Sequence, residues 1–407
     1  MFNAYGMEHR GQALYMIFRI LVFIVFLAVV VLVVVPFALY LAGINIFPSN
    51  PVAVSVLQKT GVTIPQRLGI LIRSQDRGDH WQNASVSESP THSFPSAIYS
   101  FAFHPQNPDI MYLGGAATGL WTTINGGRTW NRMSDANGIL DAAADIYDIK
   151  IARANPQIFY IAAYEKNHGR ILKSDDNGVH FHELYATSAD KKAVFTIVVD
   201  PADANHLLAA TGEGALIETS NGGQTWRIKK MFSQPLVRLI ANPQHARELY
   251  LINADGGIIK SVTGGNDWSD AIGKSSQSND IIPRYPTSIF DFLGSSSKGS
   301  QTIFLLDPTN ASRIYSGSDK TLLRSEDAGL TWKEINLLFP KELLPITALA
   351  VDPHTASTIF VAAAQELHKS VDDGITWRNV PLPAGISIKK LIIHPQDSRI
   401  MFAIVGR

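Results

Sequence analysis

The side chains best suited to chemistry fall into a few groups. Asp141, Asp145 and Asp148 gather around Tyr147, and a carboxylate cluster of that kind can bind a cation or protonate a glycoside. His180 and His182 flank Phe181, which puts two imidazoles on one side of a strand, without the third ligand a metal centre needs. Tyr164, Glu165, Lys166 and His168 form one polar cluster, and Glu213 stands in a second, Thr211-Gly212-Glu213. An aromatic and basic set follows at Arg284, Tyr285, Phe290 and Phe292. Residues of these types anchor protein interfaces. The chain contains no cysteine, which removes disulfides, thiolate metal ligands and a thiol nucleophile together. Neither a metal centre nor a cofactor is implied.

What positions these groups is a repeat. The pattern Ser/Thr-x-Asp/Asn-x-Gly-x-x-Trp/Phe carries Asp76, Gly78 and Trp81; Asn125, Gly127 and Trp130; Asp176, Gly178 and Phe181; and Asn221, Gly223 and Trp226. It returns at Gly265 and Trp268, with Thr263 in the acidic place, then at Asp327, Gly329 and Trp332, and at Asp372, Gly374 and Trp377. That makes seven copies. A second motif, an apolar run ending in His, Asn or Asp before proline, interleaves at Pro105, Pro156, Pro201, Pro243, Pro308, Pro353 and Pro395. The two motifs keep a spacing of 25 or 26 residues in all six complete repeats.

Each repeat reads as four short strands: Phe101–Phe103, Met111–Leu113, Gly119–Thr123 and a fourth entered at Trp130 in the first complete one. Four antiparallel strands recurring every 40–50 residues, roughly, describe propeller blades. The last repeat stops after two strands, and the first box, Leu68–Trp81, has two strands with none before them. Joined, the halves restore the 26-residue spacing, so the expected fold is all-β: a seven-bladed propeller over residues 67–407, closed by N-terminal strands completing the last blade.

The boxes resemble the Asp-box (BNR) repeat, in which the motif is the hairpin turn between the third and fourth strands. Chemistry explains the residue types: the carboxylate or amide accepts turn N–H groups, glycine takes positive φ, and the indole wedges the hairpin. The seven acidic positions therefore read as scaffold. Several families share the resemblance: sialidases, xyloglucan-type glycosidases, sortilin-like receptors and photosystem assembly factors. The sialidase signature Arg-Ile-Pro is absent, and no arginine triad can be placed. Sortilin-like ectodomains add a cysteine-rich module, and xyloglucan-type enzymes set two propellers face to face. The single ring is most similar to the assembly factors, which implies a scaffold that binds protein, the alternative being a surface glycosidase or glycan binder.

Outside the ring, Ile20–Val56 lacks any charged side chain and begins with an almost wholly aliphatic run. Residues 20–42 are long enough for a membrane span, preceded by a short N-terminus, 1–19, and followed by a proline-marked linker, 43–66. Arg10 and Arg19 precede the span, whereas Lys59 is the next basic residue after it, so the N-terminus is expected in the cytoplasm and the ring outside. Thirty-five basic and thirty-five acidic residues cancel, which argues against nucleic acid as the partner. Connections between blades vary from 16 residues, Trp226 to Asn242, to 39, Trp268 to Asp307. The longest, Ser269–Ser300, carries the Arg284 to Phe292 set, so specificity is expected on the face opposite the boxes.

Overall fold

Alternation of short apolar runs with Asp, Gly and Pro turns produces 28 strands among the described residues, each of two to seven residues. The computed structural model describes residues 69–188, 192–245, 247–254, 256–271 and 303–406. The strands pair into seven antiparallel sheets of four. Blade 1 comprises Ile98–Phe103, Met111–Gly115, Leu120–Thr123 and Asn131–Arg132; blade 2 comprises Asp145–Ile151, Phe159–Glu165, His168–Ser174 and His182–Ala186. Blades 3 to 6 begin at Val194, Leu236, Ile303 and Ile346. Blade 7 joins Ser387–Ile393 and Met401–Gly406 to Leu71–Ser74 and Gln82–Asn83. There Leu71 lies opposite Ile404 and Ser74 opposite Met401, so both ends of the ring are sewn into one sheet. The span expected at 20–42 and its linker lie outside the described residues, within which no helix is long and apolar enough to cross a membrane.

First strands touch in five of the seven neighbouring pairs of blades, which places them innermost around the axis. In every meander the proline turns and the boxes share one face, and the other two sets of connections share the opposite face.

The boxes are self-contained hydrogen-bonded turns. Ser325 Oγ accepts from the amides of Asp327 (3.3 Å) and Gly329 (2.8 Å), and donates to Asp327 Oδ1 (2.8 Å). Asp327 in turn accepts the amide (2.8 Å) and hydroxyl (2.6 Å) of Thr331. Asp372 repeats the arrangement with Thr376, while Asp76 and Asp176 accept from His80 and His180. In the fourth blade Thr263 Oγ1 takes the amide of Asp267 at 2.8 Å, so a hydroxyl replaces the carboxylate. Gly127 (φ +76°) and Gly223 (φ +91°) have a second reason to be glycine: a Cβ there would lie 2.6 Å from Phe402 and 2.5 Å from Leu184 of the preceding blade. The indoles also reach backwards. Trp130, Trp226, Trp332 and Trp377 donate to Ala84, Leu184, Ala271 and Asn336 carbonyls, each just outside or within the preceding blade's outer strand.

A latch in the other direction was not part of the sequence reading. Immediately before the box serine stands Arg73, Lys173, Lys260, Arg324 or Lys369, directly opposite an aromatic residue of the second strand. Four of these cations lie 5.2–6.0 Å from the centroid of Phe402, Tyr160, Tyr250 or Phe360. Lys260 Nζ and the Tyr250 hydroxyl both donate to Ala328 O in the next box (2.8 and 3.1 Å), and Arg324 Nη1 donates to Asp373 O (3.2 Å). Blade 5 thus grips both of its neighbours, through Trp332 on one side and Arg324 on the other.

Box carboxylates give the ring a predictable acid limb. The Thr331 and Thr376 hydroxyls and amides hold Asp327 and Asp372 down to about 2 in the fold. A free aspartate titrates at about 3.9, so their contribution is complete above roughly pH 5 and is lost as pH falls towards 2. Asn125 and Asn221 show that an amide serves the same turn, donating to Thr129 and Thr225. The double substitution Asp327→Asn/Asp372→Asn should leave the urea midpoint at pH 7 nearly unchanged and shrink its fall between pH 4 and 2.5. An unaltered acid limb would show that these two turns do not set it.

Candidate binding face

The first correction to the repeat concerns blade 2. Its turn equivalent to His104 is Ala152, since Ala152 N bonds Ile158 O as His104 N bonds Ile110 O. Asn155-Pro156 therefore corresponds to Asn107-Pro108, three residues later than the other proline motifs. The constant spacing survives because the central hairpin is longer by the same amount: Phe159 pairs with Ser174, 15 residues on, where Met111 pairs with Thr123, 12 on. The extra length extends this hairpin on the face opposite the boxes. Its tip, Lys166 (φ 53°) and Asn167 (φ 68°), takes the left-handed conformations of a two-residue hairpin turn.

Four of the residues expected to bind sit on that hairpin, in different roles. Glu165 is buried and ion-paired to Arg170, and it accepts the Asp141 amide at 2.8 Å. Its carboxylate fastens the hairpin to the connection between blades 1 and 2. His168 is half-buried, with Nδ1 3.2 Å from Thr187 O. Lys166 is exposed and borders a cleft of about 360 Å³ lined also by Gly119, Met133, Asp135, Leu140 and Asp141. Tyr164 points to the axis side, its ring 6.4 Å from Tyr147 and inclined at 25°. Glu213 lies one blade away with Oε1 buried and without a hydrogen bond among the described residues. Arg284, Tyr285, Phe290 and Phe292 lie outside the described residues, and the connection expected from Ser269 starts later, because Ser269–Asp270 is the outer strand of blade 4.

The inner strands supply what the sequence reading missed. Each of six carries a β-bulge near its start, which inserts one unpaired residue and re-aims its side chain. The inserted residues are Tyr99, Tyr147, Phe195, Val237, Thr347 and Lys389. On blades 1 to 3 they are aromatic and consecutive: Tyr99 and Tyr147 centroids are 5.4 Å apart, Tyr147 and Phe195 5.5 Å. With Tyr164 they make a half-buried arc of four rings on the box-free face, around the mouth of the axis. The signal available in sequence was Ile-Tyr-Ser, Ile-Tyr-Asp and Val-Phe-Thr at the starts of three first strands.

The carboxylates near the arc are held by backbone. Asp145 Oδ1 accepts Ala117 N (2.7 Å), and burial raises its pKa while that bond opposes the rise. Burial, then the Asp145 charge, pushes the Tyr99 and Tyr147 phenols well above their usual range. Asp141 accepts Ala143 N (2.8 Å), and Asp148 accepts Ile197 N (2.9 Å) and Lys150 Nζ (2.7 Å). Asp145 and Asp148 thus tie blade 2 to its neighbours, while the Asp141 carboxylate closes a turn within its own loop. His180 and His182 face different partners, Asp176 (2.6 Å) and Asp175 (3.8 Å), and do not converge. Among the described residues no three His, Asp or Glu side chains are grouped to hold a metal ion.

No protein-family model matches the chain, and no curated protein sequence does. Solved structures do match in shape. A GH74 xyloglucanase from Xanthomonas campestris superposes with a TM-score of 0.56 at 15% identity, over 76% of this chain and 50% of the enzyme. YCF48 from Cyanidioschyzon merolae gives 0.56 at 14% identity, over 76% of this chain and 95% of that one. YCF48 bound to D1 peptide gives 0.55 at 16% identity, over 76% and 94%. The chain spans about half the length of the xyloglucanases it matches. The likeness establishes the fold: a seven-bladed propeller built like the rings of these proteins.

Proposed function

We propose that the protein is a membrane-tethered, extracytoplasmic propeller that acts by binding another protein through the face opposite its boxes. The observation that carries this reading is the arc of Tyr99, Tyr147, Tyr164 and Phe195, half-buried rings of which three stand on bulged inner strands and Tyr164 on the second strand of blade 2. Rigid aromatic groups lose little conformational entropy on association and supply most of the energy at protein interfaces. YCF48, matched over nearly its whole length, is known with a peptide bound, which is consistent with a single ring working by protein contact. The tether is the charge-free run within residues 20–42, its orientation set by Arg10 and Arg19.

The test is affinity capture of the full anchored chain, wild type against Tyr147→Ala/Tyr164→Ala. One discrete protein partner should be retained by the wild type and lost at least tenfold in the variant, since two buried interface rings are worth on the order of 2 kcal/mol each or more. Undiminished capture by the variant would overturn the assignment of the face. Turnover of a glycan by the purified chain, abolished by Asp145→Asn, would replace the binding reading with a hydrolase.

A further inference from the structure

Just inside the aromatic rim, each inner strand contributes one equivalent position, fixed by its partner in the second strand. Around the ring these are Ser100, Asp148, Thr196, Arg238, Ile303, Ala348 and Lys390, opposite Gly114, Ala162, Ala210, Ile252, Gly317, Ala362 and Ile404. The inner strands lie innermost in equivalent registers, so these positions share one level of the channel. Three members of the level are charged: a carboxylate on blade 2 and long cations on blades 4 and 7.

The carboxylate is already committed. Asp148 accepts from Lys150 Nζ at 2.7 Å, the Ile197 amide at 2.9 Å and the Thr196 hydroxyl at 3.1 Å. Arg238 and Lys390 are reached by solvent but enclosed by the surrounding ring, and among the described residues neither makes a hydrogen bond or an ion pair. They sit close enough to repel: burial within the channel and then Arg238 push the Lys390 ammonium down to about 8, Asp148 opposing and Lys150 adding to the effect. Burial also lowers Arg238, with Asp148 opposing. The four groups, Lys150, Arg238, Lys390 and Asp148, leave two positive charges uncompensated on the axis.

We propose that this level of the channel is a binding site for a small, doubly charged oxyanion, inorganic phosphate being its simplest form, held between Arg238 and Lys390. Guanidinium offers two parallel donors to a pair of oxygens, and ammonium supplies a compact counter-charge. The remaining members, Ser100, Thr196, Ile303 and Ala348, carry no charge to compete for the anion. A divalent anion matches the uncompensated charge, whereas a monovalent one leaves half of it. The site is independent of the aromatic arc and stands or falls separately from protein binding.

Titration calorimetry of the full chain in detergent, at constant ionic strength, tests it with inorganic phosphate at pH 7 and sulfate at pH 8. The expected result is saturable binding at one site per chain. Arg238→Gln and Lys390→Gln should each weaken it at least tenfold, Arg238→Lys by less, and Lys320→Gln, on a remote exposed loop, not at all. Sulfate has no proton of its own to exchange near pH 8, and its binding favours the charged ammonium. Two buffers of different ionisation enthalpy should therefore report proton uptake in the wild type and none in Lys390→Gln. No saturable heat with either anion would overturn the proposal. So would equal affinity across the variants, which means an adventitious ion only. Near-UV spectra of each variant confirm that the ring has folded.

Discussion

Ile72→Asp should leave no folded ring. Ile72 is fully buried, pairs with Ala403 on one side and Asn83 on the other, and packs among Ala350, Phe360 and Leu391 in the cluster shared by blades 6 and 7. A carboxylate there loses its hydration without gaining a counter-ion, which costs several kcal/mol even after relaxation. Detaching Leu71–Ser74 also bares the edge of Met401–Gly406 and opens the circle. Against a total stability of about 5–15 kcal/mol, the two effects together are decisive. The matched control is Gln82→Asp, an exposed position in the same blade. Near-UV circular dichroism and size exclusion should show an unfolded or aggregated Ile72→Asp chain beside a native Gln82→Asp chain. A cooperative urea transition with the wild-type midpoint in Ile72→Asp would mean that the terminal strand does not hold the ring closed.

Trp130→Ala is expected to cost about 3–5 kcal/mol, the range for removing a large buried aromatic side chain. Of the box aromatics, Trp130 and Phe181 are the two that are fully buried. Trp130 donates Nε1 to Ala84 O at 3.0 Å and lies 6.0 Å from Phe101 and 6.3 Å from Phe94, edge-on to both. Its amide bonds Val86 O at 2.8 Å, tying blade 1 to the chain leaving blade 7. Trp81 is the contrast: partly exposed, with no hydrogen bond to its indole among the described residues. The loss in unfolding free energy from urea titration should be clearly larger for Trp130→Ala than for Trp81→Ala. Equal losses would refute the view that indoles act chiefly by stapling a box to the preceding blade.

How far the sequence carries depends on whether a feature is built locally. A box is readable because Ser325, Asp327, Gly329 and Thr331 satisfy one another within seven residues. Thr263, which breaks the written pattern, keeps the turn because a hydroxyl also accepts an amide proton. Blade 2 misled the count of spacings because an offset at one turn was cancelled by extra length in the next hairpin. The basic residues before the box serines were visible as letters, but gained meaning only from Tyr160, Tyr250, Phe360 and Phe402 across the strand pair.

By itself the sequence determined that there are seven blades, that each box is a turn, and that the two ends of the ring share a blade. Each of those follows from short-range hydrogen bonding and a counted period. The tertiary structure alone decided which side chains meet. Glu165 turned inward to Arg170, and Tyr99, Tyr147 and Phe195 came together from inner strands about 48 residues apart. It also set Arg238 on one level of the channel with Lys390. A bulge shifts a side chain to another direction without leaving a trace in hydrophobic alternation, and ring closure joins residues that no local rule connects.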